Sequence, residues 1–233
     1  METHLDRKTT TTATNGAVSR SWTREWIALI LGMIGLVIVL SPPADEIVDR
    51  SFSAHMLQHM VLTMFSAPLL AYAWPLVFRR WESSWFVRAL NSLTRPLVAI
   101  VISAIGIWMW HIPRLYDAAL EHASLHSLEH LVFIGAFVVF WRPLMNNGSG
   151  GGRLRSNEAR VLYLTIGMFT TGLLAAYITL ANHLIYTHYE ALKPGERSPL
   201  ADQQLGGAYM LVVGTIAIVA ALLLTLRDPG RRE

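Results

Sequence analysis

The sequence predicts an all-α fold: a polytopic transmembrane bundle of six helices with both termini in the cytoplasm. Three observations lead there. Of 233 residues, 53% are hydrophobic and 15% charged, against about 25% charged in soluble domains. Uncharged runs long enough to cross a hydrocarbon core of about 30 Å recur along the chain. Lys and Arg gather in alternate loops, as membrane topology requires, and form no patch of the kind that reads nucleic acid.

Residues 1–21 are polar, rich in Thr and without apolar periodicity, and read as a disordered cytoplasmic tail. A six-helix transmembrane domain is expected over 22–228, and 229–233 form a second cytoplasmic tail. The first span, 26–44, has 19 uncharged residues, enough to cross at 1.5 Å per residue. No small-residue cleavage site follows it, so it reads as an uncleaved anchor. Further spans are expected at 51–78, 96–113, 131–141, 161–189 and 203–226. The fourth is short unless it extends upstream through His122, His126, Glu129 and His130. Such groups are costly in lipid and face a bundle interior or a watery cavity.

Basic residues set the orientation. Arg7, Lys8, Arg20 and Arg24 precede the first span, while Arg79, Arg80, Arg88 and Arg95 follow the second. Arg142, Arg153, Arg155 and Arg160 follow the fourth, and Arg227, Arg231 and Arg232 follow the sixth. These are 15 of the 19 basic residues; the opposite loops hold Arg50, Arg114, Lys193 and Arg197. The positive-inside rule places the larger set in the cytoplasm. The Gly-rich stretch 146–152 then reads as a flexible cytoplasmic linker, and Asp45, Glu46, Asp49, Asp117, Glu121, Glu190, Glu196 and Asp202 form an acidic outer rim.

With orientation set by Arg and Lys alone, eight of the nine histidines fall on the outer side: His55, His59, His111, His122, His126, His130, His183 and His188. Only His4 is cytoplasmic. A single histidine near a helix end is ordinarily a cap or a hydrogen-bond partner, but eight on one side point to a shared site. With no cysteine in the chain, disulfides and thiolate ligands are excluded. A metal must be held by His, Met, carboxylate or amide groups.

His55 and His59 lie one helical turn apart and share a face. Met56 and Met60 occupy the same quadrant, with Gln58 beside them. Farther along, at about 100° per residue, His122 and Glu129 nearly eclipse, with His126 about 40° and His130 about 80° away. A buried Glu129 requires a cationic or hydrogen-bonding partner. Imidazole suits copper, zinc and iron, and thioether adds a preference for Cu(I), although methionines at helix interfaces also serve simply as packing. The first-choice metal ligands are therefore His55, His59, His126 and His130. His111 and His122 come next, and then the thioethers of Met56 and Met60. Gln58, Glu129 and Asp202 are candidates to orient them. His183 and His188 lie beyond, as an access relay or as interfacial residues.

Other chemistries use the same residues. Paired histidines on facing helices ligate haem, although bundles that stack two haems place them near both surfaces and the inner half here has no histidine. His126-Ser127-Leu128-Glu129-His130 matches the H-x-x-E-H zinc peptidase pattern, with the glutamate as base. Residues 55–59 repeat that spacing with Gln58, which cannot act as a base, so the common feature is ligand pairing. A transporter would need a second half of its pathway, and the inner half lacks charged residues. Asp202-Gln203-Gln204-Leu205-Gly206-Gly207 reads as an N-cap followed by glycines that allow close helix approach.

Taken in order, four motifs resemble the CtaG-type membrane family of cytochrome c oxidase assembly factors. They are His55-Met56-Leu57-Gln58-His59-Met60 with Ala67-Pro68-Leu69, His111-x-Pro113-x-Leu115-Tyr116-Asp117, His126-x-x-Glu129-His130 and Asp202-Gln203-Gln204-Leu205-Gly206-Gly207. The resemblance implies a bacterial plasma-membrane protein, not an enzyme, that helps copper reach a haem-copper oxidase. Oxidase subunits and other copper chaperones would be its partners and the lipid bilayer its surroundings. Copper is thus the expected metal, with haem or zinc as alternatives at the same histidines.

Overall fold

The computed structural model of the chain describes residues 6–145, 154, 156–190 and 197–227, with side chains from Trp22 onward. Ten α-helices occur among the described residues: α1 Asp6–Val39, α2 Pro42–Val48, α3 Phe52–Met60, α4 Ala67–Phe78, α5 Trp85–Leu93, α6 Pro96–Trp110, α7 Pro113–Glu121, α8 Ala123–Trp141, α9 Asn157–Leu180 and α10 Pro199–Leu226. No strand occurs among them. Residues 1–5, the linker 146–152 and the tail 229–233 lie outside the description, and residues 6–21 are described only as backbone continuing α1.

Among the described residues, five helical stretches are long and apolar enough to cross a membrane: Trp22–Val39, Phe52–Trp81, Ala123–Leu144, Asn157–Leu180 and Pro199–Leu226. The third expected span, 96–113, crosses only as part of a bent pair. With 15 residues, α6 rises about 22 Å and falls short of a hydrocarbon core of about 30 Å. It qualifies only together with α5, from which it is bent by 75°. The arginine-bearing connection expected as a loop therefore contains a helix, capped by the Ser84 hydroxyl, which accepts from the Val87 N–H. Pro96 opens α6 and holds Arg95 in an extended conformation, which separates the two helices.

Three boundaries also move. Ser41-Pro42-Pro43 ends the first span early, because the prolines start α2. α9 stops at Leu180, so His183 and His188 lie in the loop after it rather than at a span end. α10 starts at Pro199 with Ser198 as its N-cap, so Asp202 sits inside the first turn and is not the cap.

The span Phe52–Trp81 is the centre of the bundle. Its first half, α3, packs on α10, and its second half, α4, packs on α1 and α8. α10 in turn packs on α9, α9 on α6 and α6 on α8, which closes a ring with α1 outside it against α4. A π-helical turn at Val61–Ser66 joins α3 to α4 directly after His59 and Met60, and the Trp141 indole N–H donates to the Thr63 carbonyl at 2.9 Å. Such turns recur at functional sites.

Gly206 and Gly207 have the close-approach role their sequence suggests. A Cβ at Gly207 would lie 2.7 Å from the Thr179 backbone nitrogen, and one at Gly206 would lie 2.5 Å from the Phe52 ring. α10 can therefore seat against both α9 and α3.

Candidate metal centre

Two helix starts bring the site together: α3 presents His55 and His59, and α8 presents His126, Glu129 and His130. Asp202 of α10 fixes where α3 begins. Its carboxylate accepts the Ser53 hydroxyl at 2.5 Å and the Ser51 hydroxyl at 3.1 Å. It also accepts the Ser53 backbone N–H at 3.3 Å. An anion is favourable at this helix end. Asp202 thus anchors the helix that carries His55 and touches no imidazole.

His55 is fully buried, and its Nε2 lies 3.3 Å from Nε2 of His126. Two nitrogens each about 2.0–2.1 Å from one tetrahedral ion are separated by about that distance. His55, His126 and His130 place one ligand nitrogen each within 4.8 Å of one another, and so do the ligand atoms of His55, His59 and Glu129. His55 belongs to both groups.

The second group contains unsatisfied atoms. Both ring nitrogens of His59 and both carboxylate oxygens of Glu129 are buried without a hydrogen bond. Their closest approach is 3.8 Å, from His59 Nε2 to Glu129 Oε1. Buried polar groups are nearly always satisfied, and an unpaired buried carboxylate is expensive. A cation beside His59 and Glu129 would satisfy both.

Hydrogen bonds fix which nitrogen each histidine offers. Gln58 Nε2 donates to the Val39 carbonyl at 2.7 Å and to Asp45 at 3.1 Å, so Gln58 Oε1 must accept from His130 Nε2, 3.1 Å away. The Nδ1 of His130 is left with its lone pair. Tyr189 donates to the Val48 carbonyl at 3.3 Å, and its oxygen lies 3.3 Å from the Tyr116 hydroxyl. That hydroxyl lies 2.8 Å from His55 Nδ1. The Val48 carbonyl can only accept, so Tyr189 donates to it; with Tyr116 donating in turn to Tyr189, Tyr116 accepts from His55 Nδ1 and His55 Nε2 is left bare. Burial, reinforced by the neighbouring Tyr189, pushes the Tyr116 phenol well above its ordinary range, so Tyr116 keeps its proton.

The remaining candidates stand apart. Among the described residues, His111 is in neither ligand group; it is buried at the C-cap of α6, its Nδ1 donating to the Ile107 carbonyl at 2.7 Å. His122 leaves the face expected of it because it is the extended N-cap of α8, with φ of −130° and an exposed side chain. Met56 and Met60 pack in the apolar core with Phe52 and Tyr116. His183 bonds Asn182, and His188 packs edge-on to Tyr189. The sequence reading gave no role to Tyr116 or Tyr189. Tyr116 lies within the His111-to-Asp117 motif, but nothing local marks Tyr189.

Across residues 9–229, the chain matches the sequence model described as cytochrome c oxidase caa3 assembly factor. It belongs to that family. The match takes in α3, α8 and α10, the elements that build the histidine cluster. Uncharacterized proteins of Mycobacterium bovis and Mycobacterium tuberculosis are each 24% identical to it over 226 residues, covering 89% of this chain and 34% of the relative. The chain thus spans about a third of the length of these curated relatives. No solved structure matches it.

Proposed function

We propose that this protein acts as an oxidase assembly factor, carrying copper as cargo at the α3–α8 histidine cluster and releasing it to a haem-copper oxidase. The observation that carries the reading is the place of His55 in two overlapping three-ligand groups, His55–His126–His130 and His55–His59–Glu129. A shared ligand gives an ion two adjacent seats, and moving between them exchanges ligands without unfolding. Labile coordination of this kind suits delivery. His111 and His122 would attract copper at the margins and not hold it, and Met56 and Met60 would act through packing. Basic-residue counts favour an extracytoplasmic face for the cluster and the plasma membrane as the location, with oxidase subunits and other copper chaperones as partners.

The donor set favours copper over the alternatives. Imidazoles with a carboxylate and no thiolate suit copper or zinc. In the zinc-hydrolase reading Glu129 would need a water to activate, yet it faces His59. The four imidazoles pack edge to face, with ring centroids of His55 and His126 at 5.1 Å and of His59 and His130 at 5.5 Å. That packing accommodates an ion more readily than a macrocycle.

The test is metal content and optical spectrum of protein purified in mild detergent, beside a His55→Ala/His59→Ala/His126→Ala/His130→Ala variant. Near-stoichiometric copper in the wild type, lost in the variant, is the expected result. A Soret band in the wild type would move the reading to a haem electron-transfer protein, and zinc in place of copper would move it to a hydrolase.

A further inference from the structure

At the arginine-rich end of the bundle, away from the histidines, α1, α4, α5, α6 and α8 enclose a cavity of about 470 Å³. All its lining residues are apolar, among them Trp74, Phe78, Leu90, Ile102, Gly135 and Val138. Its volume falls within the roughly 300–1,000 Å³ of small-molecule sites, but no polar side chain is present to orient a polar ligand. Gly135 opens the wall from α8: a Cβ built there meets nothing within 4 Å, whereas one at Gly106 of the neighbouring α6 meets Ala136 at 3.4 Å. Val77 and Leu93, also part of the lining, remain exposed.

What surrounds the cavity identifies its occupant. Arg79 and Arg80 directly follow Phe78, Arg88 precedes Leu90 by two residues, and Arg95 follows Leu93 by two. Across 79–95 these four arginines stand against one acidic residue, Glu82. Arg79 stacks on Trp22 at 3.7 Å and Arg88 donates to the Ser83 carbonyl, while Arg80 and Arg95 are exposed. Trp81 and Trp85 are also exposed, at 56% and 75%, and aromatic residues of this kind mark the headgroup level of a bilayer. α5 breaks from α6 by 75°, as a helix lying along the interface would. An apolar cavity thus lies beside a cationic rim at headgroup depth.

We infer that this cavity holds an acyl chain of an anionic phospholipid, whose phosphate is met by the arginines of α5 and its flanks. The apolar lining selects the chain and the arginine excess selects the headgroup charge. The lipid fills the space between α5 and the bundle and so fixes the bent α5–α6 pair.

Native mass spectrometry of the full chain in mild detergent tests this, with phosphatidylglycerol and phosphatidylcholine added at equal concentration. The wild type is expected to retain one phospholipid and to prefer phosphatidylglycerol. Gly135→Phe, which fills the cavity, should lose the adduct. Arg80→Gln/Arg95→Gln should keep an adduct and lose the preference. A wild type without retained phospholipid, an adduct with the mass of another lipid class, equal retention of the two lipids, or an undiminished adduct in Gly135→Phe would each overturn the assignment. If Gly135→Phe is not monodisperse, Gly135→Leu replaces it under the same criteria. Copper binding, whose candidate ligands on α8 are His126 and His130, should be unchanged in all three variants, since none of the changed residues belongs to a ligand group.

Discussion

The Tyr116 hydroxyl lies 2.8 Å from Nδ1 of His55 and 3.3 Å from the hydroxyl of Tyr189, which donates to the Val48 carbonyl. With Tyr116 donating to Tyr189, the histidine common to both ligand groups carries its proton on Nδ1 and offers Nε2. Tyr116→Phe keeps the ring packing against Phe52 and Tyr186 and removes the hydroxyl that is the nearer of the two partners of His55 Nδ1. Losing such a partner behind a ligating histidine costs about 10–100-fold in metal affinity. A drop of that size in copper affinity, measured by chelator competition at unchanged thermal stability, is expected.

Because His55 is common to both groups, single substitutions should differ sharply. His55→Ala should empty both seats and abolish stoichiometric copper. His122→Ala, at an exposed cap position, and His183→Ala, bonded to Asn182 in a loop, should each retain it. Copper content after detergent purification decides this. Equal losses in the three variants would show that the cluster is not the site.

Glu129 is buried with neither oxygen hydrogen-bonded, so bound metal should stabilise the fold through it. A ligand present at about 100 times its dissociation constant stabilises a protein by about 2.7 kcal/mol. In Glu129→Gln the charge on that side of the site is gone, and the rise in melting temperature on adding copper should shrink well below the wild-type shift.

Asp202 accepts from three donors at the start of α3, the hydroxyls of Ser51 and Ser53 and the Ser53 N–H. Asp202→Ala should cost about 1–3 kcal/mol through the donors it leaves unpaired and should weaken copper binding through the position of α3. Asp202→Asn should recover part of both. Parallel melting and copper titrations of the two variants separate an anchoring role from ligation, in which the amide would recover nothing.

Gly207 and Gly214 lie on the same helix with opposite surroundings. A methyl at Gly207 meets the Thr179 backbone nitrogen at 2.7 Å, whereas one at Gly214 meets nothing within 4 Å. Gly207→Ala should therefore destabilise by about 1–3 kcal/mol as overpacking does, and Gly214→Ala should be neutral or mildly stabilising through helix propensity. Thermal melts in detergent give the comparison directly.

The sequence by itself determined the class of fold, five of the six spans in outline, and the pairing of His55 with His59 and of His126 with His130. These are legible because hydrophobic run length and the 3.6-residue period act within one element. The third span was placed at 96–113, where α6 runs, but the helix α5 bent against it by 75° was not legible, because counting charge alone takes the arginine-bearing stretch before it for a loop. His122 was assigned to a helical face by extending the period of α8 one residue past its start, where the backbone is already extended.

Only the tertiary structure decided the rest. Residues 134 positions apart, His55 and Tyr189, meet because α10 seats against α3 and α9 through glycines that carry no Cβ to hold them apart. Gln58 is turned toward His130 by a carbonyl at the end of α1. Periodicity records which face of a helix is apolar. It does not record which other helix that face meets, so the tautomers, the shared ligand and the unsatisfied pair of His59 and Glu129 appear only once the bundle closes.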